Sequence, residues 1–385
     1  MPIKPAHRLA MLPPYLFADL DRKRKEAMAR GVDVIDLGIG DPDRPTPAAV
    51  VEAMVEAVRD PATHRYPSYD GMPAFRRAAA DFMKRRFGVA LDPDTQICAL
   101  IGSKEGIAHA PLALINPEDP VLYPSPGYPV YRVATIFAGG TPIPMPLRAE
   151  NDWLPDFAAI PKSAASRATL MYLNYPNNPT GATADLAFFA RAVAFAREHN
   201  HVLLHDAAYS EIGFDGYRAP SILQTPGALD LAAEFHSLSK TANMTGWRIG
   251  FVAGCADIVR AIGKVKTNID SGAFEAVQRA AITALNLPDA VYREINETYR
   301  ERRDVAIAGL RKAGIDAQPP RATFYVWFPA PGGDSAKFAQ DLLERTGVVV
   351  TPGVGFGPEG EGYARIALCR ERARLEEAMA RIARA

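Results

Sequence analysis

The chain has 385 residues, room for two or three domains at about 150 residues each. Its 44 basic and 44 acidic side chains cancel, which excludes a protein that coats nucleic acid through a basic excess. A hydrophobic fraction of 48% with 23% charged residues excludes wholesale disorder, and no uncharged run reaches membrane-spanning length without Pro, Gly or polar interruption.

Cys98, Cys255 and Cys369 form no CxxC and no disulfide framework, and the opening MPIKPAHRLAMLPPY lacks the apolar stretch of a secretory signal. Both features predict a reduced, cytoplasmic setting.

In chain order, residues 15–30 read as a basic amphipathic helix stopped by Gly31, with Arg22-Lys23-Arg24-Lys25 on a solvated face. A short strand over 34–37 runs into the loop Gly38-Ile39-Gly40-Asp41-Pro42. Thr46-Pro47 opens the next helix, with Thr as N-cap and Pro at the first helical position. HRYPSYDGMP (64–73) is a turn-rich, aromatic loop, and the helix after it runs to Phe87 and stops at Gly88.

From residue 96 the pattern alternates. Strands are predicted at 96–101, 121–123, 169–173, 202–205, 234–238 and 248–253, with helices at 103–115, 127–137 and 184–199. Short apolar runs between helices predict strands buried on both faces of a mostly parallel sheet. Ligands of such sheets bind outside the carboxyl ends of the strands. Beyond 275, a long helix over 289–313, strands at 324–328 and 365–368, and helices at 335–346 and from 371 read as a smaller α+β unit. The expected organisation is α/β: residues 1–44 as an N-terminal arm and part of the small domain, 45–275 as the large domain, and 276–385 as the small C-terminal domain.

The most informative stretch is HSLSKTANMTGWRIGF (236–251). A lone loop lysine is usually a solvated surface group. Here Ser237, Ser239 and Arg248 can bind a phosphate through hydroxyls and a guanidinium fork. Lys240, beside a bound phosphate and a carbonyl, can then form a Schiff base. The phosphate-bearing aldehyde that enzymes use this way is pyridoxal phosphate.

Four further parts are then required. Asp206, after the strand 202–205, can keep a pyridine nitrogen protonated; by itself it could equally be a helix N-cap or a solvated loop carboxylate. Asn178, held extended before Pro179 in NYPNNPTG (174–181), can donate to a phenolic ring oxygen, as can Tyr209. Tyr128, in PGYP after the strand 121–123, can stack on a ring or simply pack the core. Residues 101–106 (IGSKEG) pass from strand to helix, where free N–H groups favour an anion. His199, His201, His205 and His236 show no zinc-type spacing with Cys or carboxylates, so no metal is expected.

SLSKTANMTGWRIGF, NNPTG, the Asp206–Tyr209 pair and RIAL together resemble the class I/II aminotransferases, pyridoxal-phosphate enzymes of fold type I, over essentially the whole chain. LPPYLFADLD (12–21), LGIGDPDRPTP (37–47), YPSYDG (66–71), IGSKEGIAH (101–109) and VKTNIDSGAF (265–274) are similar to the bacterial LL-diaminopimelate aminotransferases within that class.

The resemblance implies a fold-type-I PLP transferase, with a large domain whose mostly parallel sheet lies between helices and a smaller α+β domain. It implies Lys240 as the Schiff-base lysine and proton shuttle, and Asp206 on the pyridine nitrogen. Asn178 and Tyr209 would bind the phenolic oxygen, and Tyr128 would stack on the ring. Ser103, Lys104, Ser237, Ser239 and Arg248 would surround the phosphate, and Tyr66 would reach the phosphate of a neighbouring subunit. Arg365 would grip the substrate α-carboxylate, with Tyr15, Gly40, Asn178 and Asn268 lining the substrate site. The implied partners are an amino acid, a 2-oxo acid and a second copy of the chain in a homodimer.

The sequence departs from the pattern at Ala242, where a larger residue, often Tyr, is expected. It is also shorter than plant-type diaminopimelate enzymes between the lysine motif and Asn268. Two other activities share the cofactor residues: a broad aspartate or alanine aminotransferase, and a PLP lyase. A non-catalytic binding protein on this fold would usually lack the lysine.

Overall fold

Short apolar runs wedged between helices become strands because only a sheet covered on both faces satisfies their backbone while burying every side chain. The computed structural model describes residues 3–12 and 16–384, with backbone alone for 16–20. Its strands are β1 (Ile35–Asp36), β2 (Ile97–Leu100), β3 (Pro120–Ser125), β4 (Thr141–Pro146), β5 (Leu170–Asn174), β6 (Val202–Asp206), β7 (Ala232–Ser237), β8 (Gly250–Gly254), β9 (Tyr325–Pro329), β10 (Val348–Val349), β11 (Thr351–Pro352) and β12 (Tyr363–Ala367).

The large sheet has the order β2-β8-β7-β6-β5-β3-β4. β8 runs antiparallel to both of its neighbours, and the remaining pairs are parallel. Side chains alternate between two cores, as a period of two requires. On β5, Met171 and Leu173 enter one cluster with Phe188, Phe189 and Phe251. Leu170 and Tyr172 enter the other, with Tyr131, Phe235 and Ile262.

β4 was not predicted, because TPIPMP reads as a breaker. It lies at the sheet edge, paired only with β3. The three prolines alternate with Thr141, Ile143 and Met145, so the missing N–H groups can all point away from β3. The Thr141 and Leu147 N–H groups still donate to the Asp119 and Ser125 carbonyls at 2.8 and 2.7 Å.

Several predicted ends shift. The helix expected to be capped by Thr46 begins at Ala48, and Pro47 is its N-cap, with extended ψ and no side-chain cap. The Thr46 hydroxyl instead donates to the Asn243 carbonyl at 2.7 Å, tying this helix to the lysine loop. The helix Pro73–Phe87 stops where predicted, since Gly88 takes the left-handed conformation at φ 71° and its N–H reaches the Lys84 carbonyl. Helices Ala256–Ile269 and Glu275–Leu285, not separately predicted, follow β8. Ala280, Ala281, Ala284 and Leu285 join the first core, so by packing the large unit continues past 275.

The second unit packs β9, β11 and β12, an antiparallel sheet in the order β11-β12-β9, against helices Asp289–Lys312 and Arg372–Ile382. The N-terminal strand β1 pairs in parallel with β10, and the Leu37 carbonyl accepts from Ala367 N–H at 2.7 Å. Residues 35–37 thus join the second unit. Among the described residues no helix is long and apolar enough to cross a membrane.

Candidate active site

β5, β6 and β7 end side by side at Asn174, Asp206 and Ser237, on the rim where a parallel sheet exposes its carboxyl ends. Asp206 points to the face shared with Tyr172. Its Oδ2 accepts from the Tyr131 hydroxyl at 2.8 Å, and its Oδ1 accepts from Ala208 N–H at 3.3 Å. Burial pushes the carboxyl above its ordinary value, opposed first by the Tyr131 bond.

The Asn174 amide fixes the next layer. Its Nδ2 donates to the Asp206 carbonyl at 2.7 Å, and its Oδ1 accepts from Asn178 N–H at 2.8 Å. The run NYPNNP is therefore a held platform rather than a free turn.

Lys240 lies in the one-turn helix Leu238–Thr241, which follows β7 directly. The strand predicted to reach 238 ends one residue earlier, so the lysine projects from a helical turn at the rim. Its Nζ donates to the Gly40 carbonyl at 3.1 Å and stands 5.6 Å from the Phe324 ring centroid. Burial lowers the ammonium pKa below 10.5, which favours the neutral, nucleophilic amine.

Tyr209 is buried, with its hydroxyl 3.1 Å from that of Tyr325. Gly40 is required beside them, because a Cβ there would overlap the Tyr325 hydroxyl.

Arg365, central on β12, is 5% exposed. Its Nη1 donates to Asn178 Oδ1 and its Nη2 to the Gly38 carbonyl, both at 2.7 Å. The guanidinium lies 4.1 Å from the Tyr325 ring centroid and 4.6 Å from that of Phe356.

A third group forms where Ser103 opens the helix Ser103–Leu114. Arg248 Nη1 stands 3.4 Å from Ser239 Oγ and donates to the Thr245 carbonyl at 2.8 Å. Its Nη2 occupies the space a Cβ on Gly102 would take, and a Cβ on Gly250 would stand 3.1 Å from the Ser103 amide nitrogen. Ser237 is buried at the head of the lysine helix. Lys104 is exposed on the same helix start, its Nζ 5.8 Å from the Tyr128 ring centroid.

Two of the expected residues are not gathered with these groups. Tyr66 is 89% exposed. Asn268 is exposed in the last turn of Ala256–Ile269, where its amide donates to the Lys264 carbonyl at 2.8 Å. A third expected residue, Tyr15, lies outside the described residues.

The residues present fit pyridoxal phosphate. Asp206, buried, holds only neutral donors on its oxygens and would accept a ring N–H. Arg365 Nε is buried with no partner, as expected of a fork that awaits a carboxylate. Ser103, Ser239 and Arg248 surround a cradle opened by two glycines, with the donors a phosphate requires. Comparison with known proteins agrees: a family profile described as aminotransferase class I and II matches residues 32–382.

The chain belongs to the class I and II aminotransferases.

It is 55% identical over 378 residues to the LL-diaminopimelate aminotransferase of Syntrophobacter fumaroxidans, covering 98% of this chain and 97% of that one. It is 56% identical over 378 residues to the protein of the same name from Desulforudis audaxviator, covering 98% and 96%. Among solved structures it is similar to substrate-bound BacF from Bacillus subtilis, with TM-score 0.96 and 39% identity over 100% of this chain and 98% of that one. The fold is that of a fold-type-I PLP transferase, and the cofactor of this aminotransferase is pyridoxal 5'-phosphate.

Sequence reasoning missed three polar groups of the aminotransferase site. Tyr131 stands three residues after Tyr128 at a helix start, a spacing that brings both to one face, and this was its one local signal. Asn174 ends an apolar strand, where nothing local marks its amide as a clamp. Tyr325 sits in an apolar strand, FYVWF, and nothing local marks its hydroxyl.

The histidines are also resolved. On the sheet face opposite Asp206, Glu234 is fully buried and accepts from His205 Nδ1 at 2.9 Å, His236 Nε2 at 2.6 Å and Ile222 N–H at 3.0 Å. His205 Nε2 accepts from Tyr175 N–H at 3.2 Å, so the proton is on Nδ1. Glu105, His109 and Asp270 also bring ligand atoms within 4.8 Å of one another. The cation they hold is the buried Lys266 ammonium, 2.9 Å from Glu105 and 3.1 Å from Asp270.

Proposed function

We propose that this aminotransferase interconverts LL-diaminopimelate and 2-oxoglutarate with tetrahydrodipicolinate, glutamate and water, a step of lysine biosynthesis, as a cytoplasmic homodimer. The observation that carries the substrate is the 55% identity, over 98% of the chain, to a relative named for that activity.

In this reading Ser103, Lys104, Ser237, Ser239 and Arg248 hold the phosphate, with Tyr66 of a second copy. Asp206 holds the ring nitrogen, Asn178 and Tyr209 the phenolic oxygen, and Tyr128 the ring face. When bound, the cofactor supplies an aldehyde for amines and a ring that takes up electron density from bonds at the substrate's α carbon.

The chain's own residues do the rest. Arg365 orients the α-carboxylate through a bidentate grip, and its bond to Asn178 keeps that grip in register with the ring-oxygen donor. Lys240, its pKa lowered by burial, is a neutral base at lower pH than a surface lysine. It would take the proton from the substrate's α carbon as a base and deliver it as an acid to the former aldehyde carbon, C4′. The two half-reactions use the same site in turn, so its distal end, to which Gly40, Asn268 and Tyr15 are assigned, accepts both a zwitterion and a carboxylate.

The test compares kcat/KM for LL-diaminopimelate, aspartate and alanine, each with 2-oxoglutarate. LL-diaminopimelate should lead. A lead of more than tenfold for aspartate or alanine overturns the substrate assignment and leaves the class. Turnover without any 2-oxo acid would point instead to a lyase.

A further inference from the structure

Tyr325, the first residue of β9, touches three groups of the site at once. Its hydroxyl is 3.1 Å from that of Tyr209, its ring face meets Arg365 at 4.1 Å from the centroid, and its hydroxyl fills the space a Cβ on Gly40 would need. Both tyrosines are buried, and each hydroxyl has one hydrogen to give. Within the pair one oxygen donates and the other accepts, and the choice decides what Tyr209 can do. If Tyr209 donates to Tyr325, it has no hydrogen left for a ligand.

The charges around the pair break the symmetry. The Arg365 guanidinium lies against the face of Tyr325. Burial raises both hydroxyls, and Arg365 acts to lower each. Of the two rings, Tyr325 is the one with the guanidinium on its face, which draws electron density from that ring and makes its hydroxyl the better donor of the pair.

We propose that Tyr325 is a positioning residue whose hydroxyl donates to Tyr209 and so leaves the Tyr209 hydrogen for the phenolic oxygen of the cofactor. This rests on the assignment of Tyr209 to that oxygen. A donor whose own oxygen accepts a hydrogen bond is the better donor, because bonds in a chain polarise one another. Arg365 thereby serves the cofactor as well as the substrate, through the ring of Tyr325.

The experiment titrates the visible absorbance of the holoenzyme with pH in wild type, Tyr209→Phe, Tyr325→Phe and the double variant. A hydrogen bond to the anionic ring oxygen favours its charged form, so losing it raises the pH at which the lysine-bound cofactor gives up its proton. Tyr209→Phe should raise the midpoint by about one to two pH units, the size of a hydrogen bond to a charged group. Tyr325→Phe should raise it by a smaller step, about half a unit or less, as expected of one cooperative bond. The double variant should match Tyr209→Phe, because Tyr325 acts only through Tyr209. Tyr325→Phe keeps the aromatic face on Arg365, and circular dichroism checks that the fold is kept. A wild-type midpoint in Tyr325→Phe overturns the proposal, as does a shift that adds in full to that of Tyr209→Phe. An unmoved midpoint in Tyr209→Phe overturns the cofactor-side reading of Tyr209 and the proposal with it.

Discussion

Arg365 donates to the side-chain oxygen of Asn178 at 2.7 Å, joining residues 187 positions apart. One stands on the small sheet and the other on the platform after β5 of the large sheet, so the bond crosses between the two units. With the Oδ1 of Asn178 taken by the guanidinium, what this amide offers a ligand is its Nδ2 donor. The group proposed to read the substrate and the group proposed to read the cofactor are thus set by one contact.

Lys240 yields the most direct prediction. Borohydride reduction of the holoenzyme should attach the cofactor to Lys240, and Lys240→Ala should lower transamination by about 10²–10⁴-fold or more, the contribution of a positioned general base. Labelling of another lysine would sink the assignment. Stability of the apoenzyme supplies a second check. The folded-state pKa of Lys240 is below 10.5, so the folded chain binds fewer protons than the unfolded one between those two values. This group's contribution to stability therefore rises with pH across that window. Lys240→Met apoenzyme should lose that rise, as followed by Tm at pH 7 and pH 10.

Asp206 and Tyr131 should differ in degree. Asp206→Asn removes the charge that holds a ring nitrogen protonated and should slow the proton transfer at the α carbon strongly while the protein stays folded. Tyr131→Phe removes one hydrogen bond to that carboxylate, about 1.5–3 kcal/mol or roughly ten- to a hundredfold. Single-turnover rates with an amino acid substrate measure both. Equal, near wild-type rates would remove the pair from the site.

Glu234 predicts an acid-sensitive fold. The flanking His236 and His205 hold its carboxyl well below the usual range despite full burial. A depressed folded pKa gives stability that is present above the unfolded value of about 4.5 and lost as pH falls through the folded one. Glu234→Gln should cost about 1–3 kcal/mol at pH 7, because the amide puts an NH2 against donors that the carboxylate accepts. Denaturant melts at pH 7 and pH 4 would measure it, with a gap between wild type and variant that narrows at the lower pH. A constant gap would mean that packing, not charge, is what Glu234 supplies.

The exposed Tyr66 makes a prediction about assembly. If Tyr66 of one copy completes the phosphate site of another, mixing inactive Tyr66→Phe and Lys240→Ala proteins should restore part of the activity through hybrid dimers. A fully active monomer in sedimentation would rule out the shared site.

Most strands and helices of the large unit were legible in the sequence, as was the placing of Lys240, Asp206 and Asn178 at strand ends; β4 and the helices Ala256–Ile269 and Glu275–Leu285 were not. Periodicity, a glycine stop at Gly88 and turn chemistry are local, and a strand followed by a loop already says where its carboxyl end lies. The class was legible too, because the lysine motif, NNPTG, the Asp206–Tyr209 pair and RIAL are each short contiguous runs that occur together.

How distant groups meet is set by tertiary packing. Thr46 is a capping residue by pattern, yet its hydroxyl goes to Asn243 because the helix it precedes packs beside the lysine loop. TPIPMP is a strand only because it lies at an edge, where alternate prolines need no partner. His205 finds a fully buried carboxylate because β6 and β7 are neighbours in register, with His205 opposite Glu234. Tyr325 becomes a polar group of the site because the N-terminal segment brings Gly40, without a Cβ, against its hydroxyl. These are pairings between residues tens to hundreds of positions apart, and no local propensity encodes them. They follow from strand order and from the closure of the two units on each other.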